Sequence, residues 1–480
     1  MSPVLKMTLE EIEKATGGKT LSRMKTEFSG VGTDTRTDLA GKVFVALKGE
    51  NFDAHDFLGK AVEAGADALI VHRLPHDARM VLDKVTVVEV PDTLKAFQDL
   101  GHYWRRKMRA IVLALTGSNG KTTTKEFAAQ IIGSRRKVHN SKGSFNNHWG
   151  VPMTLLALDS SHEVALVEMG MNHPGELTRL CEIADPDVVA VTMVGRGHLE
   201  GLGSLEGVAR AKAEIYEASR DDATLIFNLE NEHTRRMYER FQPQARGEVI
   251  TFAGTGKQPF GIEPDISLEV VAMELESMTI RGRIRGVSGE VSVPVFGAQN
   301  ITNLMAAAAL ALGAGLTPDD IWTAFPQCRT VWGRNQWVRL ASGARALFDG
   351  YNANPESMQA AIENFSLLKV PGRKFAILGE MREMGSHTAQ VHQEIGELAA
   401  RAGFDGICFF GPSGSQFAAG LKSGGFSKSQ FISDSYEQGL APRMLPVLDG
   451  NDIVLIKGSR GMRLERALMD LDPLDFQEKK

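Results

Sequence analysis

Thr116-Gly117-Ser118-Asn119-Gly120-Lys121-Thr122-Thr123 combines residue types that can manage a phosphate chain. Gly117 and Gly120 allow a tight path and a close backbone approach. Lys121 offers a point charge to the outer phosphates, and the Thr122 hydroxyl suits Mg²⁺. The apolar run Ala110 to Leu115, with β-branched Ile111 and Val112, predicts a buried strand before this turn. Phe127, Ala128, Ile131 and Ile132 recur at helical spacing after it. A helix is therefore expected to open near Thr122, with its N-terminal dipole facing the same anion. Leu115 stands where the longer phosphate loop has its first glycine, so the loop is a shortened form. Residues Thr116 to Thr123 are expected to bind nucleotide phosphates; the plainer alternative is a glycine turn before a surface lysine.

Three further residues gain interest from the elements that must position them. From 108 to 325 apolar runs alternate with helical stripes, which predicts a mainly parallel sheet with crossover helices. Ligands of such sheets lie beyond the carboxyl ends of the strands. Glu168 ends the run Val164 to Val167, and His198 follows Val188 to Val191 after a glycine-containing loop. Lys212 falls on the stripe of Leu205, Val208, Ala209 and Tyr216, the face expected to be buried. A buried ammonium is costly unless paired, neutralised or modified. Either its stem covers the core while the head reaches water, or the amine is neutral enough to take up carbon dioxide. The resulting carbamate would be an oxygen ligand fit for Mg²⁺.

The rest of the chain reads as two flanking units. Residues 1–107 form a small mixed α/β domain, with an opening helix capped by Thr8 and Glu11 and strands at Val43 to Leu47 and Ala66 to Val71. Its polar segments Thr33-Asp34-Thr35-Arg36 and Lys48 to His55 flank strands, where turn chemistry is the simple reading. Residues 108–325 form the central domain, in which short antiparallel strands between about 245 and 296 are expected to pack beside the main sheet. Asn300 and Asn303 could cap the alanine-rich helix that follows. Residues 326–480 form a third unit, a second open α/β sheet. Its strand Ala344 to Phe348 leads into Asp349-Gly350-Tyr351-Asn352-Ala353-Asn354-Pro355, where Asn354 and Pro355 suit a helix start. Its last strand delivers Lys457-Gly458-Ser459-Arg460, two cations beside a helix start.

Composition excludes several classes. A net charge of −5 and the lack of long basic runs give no case for nucleic acid. The 3 cysteines are too few and scattered for a disulfide framework and fit a reducing cytoplasm. Met1 to Gly18 has no uninterrupted apolar core and does not read as a signal peptide. The longest apolar run, Met305 to Leu316, is too short for a membrane span.

Taken together, these motifs resemble the Mur ligase family over nearly the whole chain. The resemblance rests on Thr116 to Glu126, Asn146 to Pro152, Val167 to Asn172, His198 with Ala211-Lys212, Asn300 to Asn303, Gly333-Arg334, Asp349 to Pro355 and Lys457 to Arg460. Tyr351 to Pro355 and Gly379-Glu380-Met381 point to the branch that adds D-alanyl-D-alanine; the Asp-Asn-Pro-Arg motif typical of the diaminopimelate-adding branch is absent.

The resemblance implies three α/β domains: a small mixed α/β N-terminal domain, a central P-loop domain with a mainly parallel sheet and a small antiparallel sheet, and a C-terminal Rossmann-like domain. It implies an ATP-dependent ligase of peptidoglycan precursor synthesis, cytoplasmic and monomeric. Its substrates would be UDP-N-acetylmuramoyl-tripeptide, D-alanyl-D-alanine and ATP, with no nucleic acid and no membrane span. The tripeptide carboxylate would be phosphorylated and then captured by the dipeptide amine. Two Mg²⁺ ions are implied, one on Thr122 and Glu168, the other on His198 and carbamylated Lys212; Lys121, His198 and Lys212 would be catalytic. Asn303, Arg334 and Asp349 match family positions that contact ATP. Thr33, Asp34, Thr35, Arg36, Lys48 and Gly49 match its UDP-sugar segments. Asn228 to Asn231 lacks the family's usual aspartate, and Trp149 is bulkier than the usual aliphatic residue. A folylpolyglutamate synthase-like ligase would share the central residues without needing the first domain. A P-loop switch would not need the set Glu168, His198 and Lys212.

Overall fold

The computed structural model describes residues 6–49, 52–74, 83–197, 199–257 and 261–477. Its main sheets have five, nine and six strands, in chain order of their units.

In the first unit, helix Leu9–Thr16 opens with the expected box: the Thr8 hydroxyl accepts from the Glu11 N–H while the Glu11 carboxylate accepts from that of Thr8. Strands Val31–Gly32, Val43–Val45, Ala68–Val71 and Thr86–Glu89 run parallel, and Lys19–Ser22 pairs antiparallel at the edge. Residues 33–36 and 48–49 thus follow the carboxyl ends of two adjacent strands. Helix Thr93–Lys107 then packs on Gly150–Leu156 and Glu176–Ala184 of the next unit. One apolar core accordingly runs from Met7 through Trp104 to Phe227. Buried Arg105 fastens this junction, donating to Ala184 O at 3.0 Å and to Asp187 Oδ2 at 2.8 Å.

The nine-stranded sheet centres on Ile111–Thr116, flanked in parallel by Val164–Glu168 and Val188–Val191. Helices Lys121–Gly133 and Asn300–Gly313 cover one face together, and Gly150–Leu156, Glu176–Ala184 and Leu205–Glu217 belong to the core of the other. The structure corrects the expectation of antiparallel strands packed beside this sheet. Val249–Gly254 pairs in parallel with Thr224–Asn228 and with Ile266–Met273. Met278–Ile284 and Val287–Val293 then prolong the same sheet as an antiparallel extension. Only one face of that extension is covered, which explains its alternation of buried and exposed residues.

The six-stranded sheet is parallel except for the hairpin Gln336–Arg339 and Arg345–Asp349. Its central strands are buried apart from Arg345 at one start, so their middles are continuously apolar: Arg345–Asp349 carries Ala-Leu-Phe and Ile453–Lys457 carries Ile-Val-Leu-Ile. They end in Asp349 and Lys457, which are paired in register. Among the described residues no helix is long and apolar enough to cross a membrane.

Candidate active site

The phosphate loop joins a buried strand to helix Lys121–Gly133, as its residue pattern requires. Gly120 has φ 81°, and a Cβ there would collide with Asn303 Oδ1, so glycine is needed for both conformation and space. Asn303 therefore presses on the loop and also lies 3.4 Å from Thr124 Oγ1. Neither asparagine caps its helix: Asn300 is already helical, donates to Phe296 O, and accepts from Asn303 Nδ2. Thr192 from the neighbouring strand end donates to Asn119 O at 2.6 Å, and Ser118 exchanges hydrogen bonds with Gly195. Lys121 Nζ donates to Gly117 O at 2.6 Å. Burial lowers the pKa of this ammonium, Glu168 opposes the shift, and Arg334 adds to it. The loop is a rigid, cationic cradle before any anion arrives.

Glu168 is 1% exposed at its strand end. Its Oε1 accepts from Asn146 Nδ2 at 2.9 Å, while Oε2 is buried without a hydrogen-bond donor. Lys125 Nζ stands 3.6 Å from Oε2 but donates to Ser141 O and Gly143 O. An unsatisfied buried carboxylate oxygen facing a cavity suits a hard cation. Lys212, 1% exposed, does not reach solvent, so the reading in which its head is hydrated does not hold. Burial lowers its pKa far from the usual lysine range, and the Lys121 charge pushes the same way. His198 lies outside the described residues. Among the described residues no group of three or more His, Cys, Asp or Glu is placed to hold a metal ion. Any cation here would need phosphate or water oxygens besides Glu168 and Thr122.

The third unit closes over this cradle. Arg334 stacks on Tyr351, with 4.4 Å from guanidinium carbon to ring centre, and its Nη2 reaches 3.5 Å from Thr122 Oγ1. Asp349 pairs with buried Lys457 at 2.5 Å and accepts from the Asn335 N–H. Asn354 caps its helix as expected and also donates to Asn119 Oδ1 at 2.7 Å. Arg196 of the central unit bonds Glu356 at 3.0 and 3.1 Å and Glu394 at 3.2 Å.

Two cavities result. One, about 380 Å³, is lined by Asn119, Gly120, Asn228, Asn303, Arg334 and Asp349 among others. The second, about 530 Å³, includes Lys121, Thr122, Asn146, His148, Glu168 and Arg334 in its walls. They share Asn119, Gly120 and Arg334. Asn119 Nδ2 and Arg334 Nε are buried donors without an acceptor, further evidence of sites shaped for a ligand.

The first-unit candidates lie elsewhere. Asp34 and Arg36 pair with one another at 2.7 Å on the surface, which holds the Asp34 pKa at about 2. Thr33 and Thr35 are half-buried, Lys48 is exposed, and none of these residues lines the two cavities. A link does exist: a Cβ on Gly49 would sit 3.4 Å from the Trp149 ring, and the adjacent His148 lines the second cavity. Residue types alone did not single out Arg196, Glu356, Thr192 or Lys125, because their roles depend on partners far away in the chain. Only Lys125, a lysine on the inner face of a predicted helix, carried a sequence signal.

Three family models match successive parts of the chain. Residues 27–105 match the "Mur ligase family, catalytic domain", 115–311 the "Mur ligase middle domain", and 333–460 the "Mur ligase, glutamate ligase domain". The UDP-N-acetylmuramoyl-tripeptide–D-alanyl-D-alanine ligases of Bacillus subtilis and Escherichia coli are each 33% identical to this chain, over 98% of it and 99% of their own length. Among solved structures, MurF from Acinetobacter baumannii superposes with a TM-score of 0.86 at 29% identity, over 98% of this chain and 99% of that one. MurF from Thermotoga maritima, solved with ADP, gives 0.78 at 26% identity, covering 92% and 96%.

Proposed function

The chain belongs to the Mur ligase family, and on that premise we propose that it joins D-alanyl-D-alanine to UDP-N-acetylmuramoyl-tripeptide, with ATP cleaved to ADP and phosphate, in peptidoglycan precursor synthesis. The observation that carries this reading is the pair of cavities meeting at Asn119, Gly120 and Arg334. One is bounded by polar groups suited to a nucleoside, the other by a cation, a hydroxyl and an unsatisfied carboxylate. The reaction needs two adjoining sites of this kind.

In the reaction a carboxylate oxygen of the tripeptide takes the γ-phosphoryl group, and ADP leaves. The dipeptide nitrogen then bonds the acyl carbon, the C–O bond to phosphate breaks with its electron pair, and the amine releases its proton. Lys121 and the loop N–H groups hold the phosphates while charge spreads over the transferring group. Arg334 comes from the third unit to touch Thr122, so ATP binding and closure of that unit are coupled. Asn303 fixes the loop, and Asp349 holds Lys457 and the Asn335 backbone at the nucleoside end. Closure by Asn354 and Arg196 keeps water from an acyl phosphate that it would hydrolyse.

Thr122 and Glu168 would hold one Mg²⁺, and His198 with a carbamate on Lys212 a second. Such ions supply neutralisation of the phosphate and carboxylate charges brought together here. The bare Oε2 of Glu168 supports the first assignment. The buried, readily deprotonated amine of Lys212 supports the second, because only a neutral amine adds carbon dioxide. Thr33 to Arg36, with Lys48 and Gly49, would hold the UDP end at the carboxyl edge of the first sheet. We place the enzyme in the cytoplasm as a monomer; its three cysteines are free and buried, as a reducing compartment allows.

Phosphate release from ATP tests the function. Release is expected only when UDP-N-acetylmuramoyl-tripeptide and D-alanyl-D-alanine are both present. Release with ATP alone would instead identify a nucleotide-driven switch. Release with the tripeptide nucleotide and glutamate, but not the dipeptide, would indicate a glutamate-adding ligase.

A further inference from the structure

A cavity of about 550 Å³ lies outside the reaction cleft, where the central and third units are joined. Pro294 and Phe296, which follow the last central strand, form one side of it. Arg329 and Thr330 of the connecting segment form another, and Trp337 and Arg345 of the third unit's hairpin close it. Among the described residues, only Asn335 is shared with either cavity of the cleft. The function proposed above leaves this site without a role.

Its walls offer two kinds of contact. One is flat and apolar: the Phe296 and Trp337 rings meet edge to face with 5.5 Å between centres, and Trp337 stacks on Phe365 at 6.3 Å. The other is cationic. Three arginines line the cavity against two acids, and both acids are taken, Glu276 by Arg345 at 2.7 Å and Asp475 by Arg339 at 2.9 Å. Arg329 is left over. Among the described residues its side chain donates only to the Pro326 and Cys328 carbonyls, so its charge has no anionic partner. The Trp337 Nε1–H is likewise a buried donor without an acceptor. A surplus guanidinium and a bare indole N–H beside two aromatic rings match an anion carried on a flat apolar body.

Position gives occupancy a consequence. The Arg329 backbone exchanges two hydrogen bonds with the Gln130 side chain, on the helix that opens at the phosphate loop. Trp337 lies three residues after Arg334, which touches Thr122, and Asn335 between them adopts φ 46° and donates to Asp349. A ligand spanning Arg329 and Trp337 thus ties the phosphate-loop helix to the segment that presents Arg334. We propose that this cavity is an effector site for a planar organic acid, its carboxylate on Arg329 and the Trp337 Nε1–H and its body against Phe296, and that occupancy strengthens ATP binding. A ligand shifts an equilibrium only by binding one arrangement better. This cavity takes its walls from both units in the arrangement where Arg334 meets Thr122. By linkage, ATP strengthens binding of the acid by the same factor.

The test uses the full chain, isotope-labelled at the indole nitrogens of its 5 tryptophans, with benzoate as the probe and benzamide as its uncharged counterpart. Trp337→Phe identifies the Trp337 indole resonance by its loss. Benzoate should move that resonance downfield with a Kd of about 1 mM, the range of so small a ligand. Benzamide should bind about tenfold more weakly, as should benzoate to Arg329→Gln, because each lacks the charged hydrogen bond. Calorimetry with ATP and Mg²⁺, in the absence of the other substrates, should show benzoate lowering the Kd for ATP about fivefold in the wild type and leaving it unchanged in Arg329→Gln. A Trp337 resonance unmoved at roughly twenty times the expected Kd, or equal binding of benzamide, would overturn the site. A shifted resonance with unchanged ATP affinity would overturn the effector role. Neither readout involves peptide-bond formation, so failure of the ligase reading is separately visible in the phosphate-release assay.

Discussion

The phosphate cleft and the 33–36 turn both hold residues that the family resemblance assigns to substrate, yet they are built in opposite ways. In the cleft, Glu168 Oε2, Asn119 Nδ2 and Arg334 Nε are buried and unsatisfied. In the turn, Asp34 and Arg36 lie at the surface and satisfy each other. An unsatisfied buried group forfeits roughly 1–3 kcal/mol in the free protein and regains it when a ligand arrives. An exposed pair must first be broken, and an exposed pair contributes little either way. The cleft therefore stands to gain from an arriving ligand, whereas the turn is already satisfied without one.

That contrast fixes the order of mutational effects. Lys212→Ala should reduce kcat by about 10³-fold or more, as removal of transition-state charge stabilisation does, and a short carboxylic acid in the buffer should partly restore turnover by standing in for the carbamate proposed there. Full activity in that variant would remove Lys212 from the mechanism. Glu168→Gln should lower kcat on the order of 10²-fold and raise the Mg²⁺ concentration needed for half-maximal nucleotide binding, followed by titration calorimetry. Arg334→Ala should raise the KM for ATP about tenfold, the worth of a charged hydrogen bond, with unchanged affinity for the UDP substrate. If UDP-substrate affinity falls instead, the separation of the two regions is wrong.

Arg36→Ala should give the reverse: weaker UDP-substrate binding, unchanged kcat at saturation and an unmoved thermal midpoint. The smallest effect concerns the loop beside Lys48. His55 is buried, bonded to Asp53 and to the His72 N–H, and burial lowers its pKa below the usual 6.5. The unfolded chain therefore takes up this proton first. The associated stability is present above pH 6.5 and declines as the pH falls toward the lower folded value. Urea midpoints between pH 7.5 and 5.5 should fall less in His55→Gln than in the wild type.

Much of this was legible from residue order, because the signals are local. Strand, glycine turn and helix around Thr116 to Thr123 need only neighbours. The Thr8–Glu11 and Asn354–Pro355 caps reach across three residues or fewer, and the stripe that buries Lys212 follows from helical period alone. Edge pairing was less legible: nothing local states whether Val249 to Phe252 joins the main sheet or a separate one, since both present the same apolar run. The choice depends on which backbone edge is left open by Thr224–Asn228.

Sequence by itself determined the elements and the chemical types at their ends: a lysine and hydroxyl at a helix start, a glutamate after a buried strand, a lysine facing a core. Tertiary structure alone decided which of these ends meet. Arg334 reaches Thr122 across 212 positions, and Asn354 reaches Asn119 across 235. No periodicity encodes contacts at such separations. They follow from how the central and third sheets bring the ends of Ile111–Thr116 and Arg345–Asp349 to one cleft, and burial there is what leaves Glu168 with an oxygen lacking a partner.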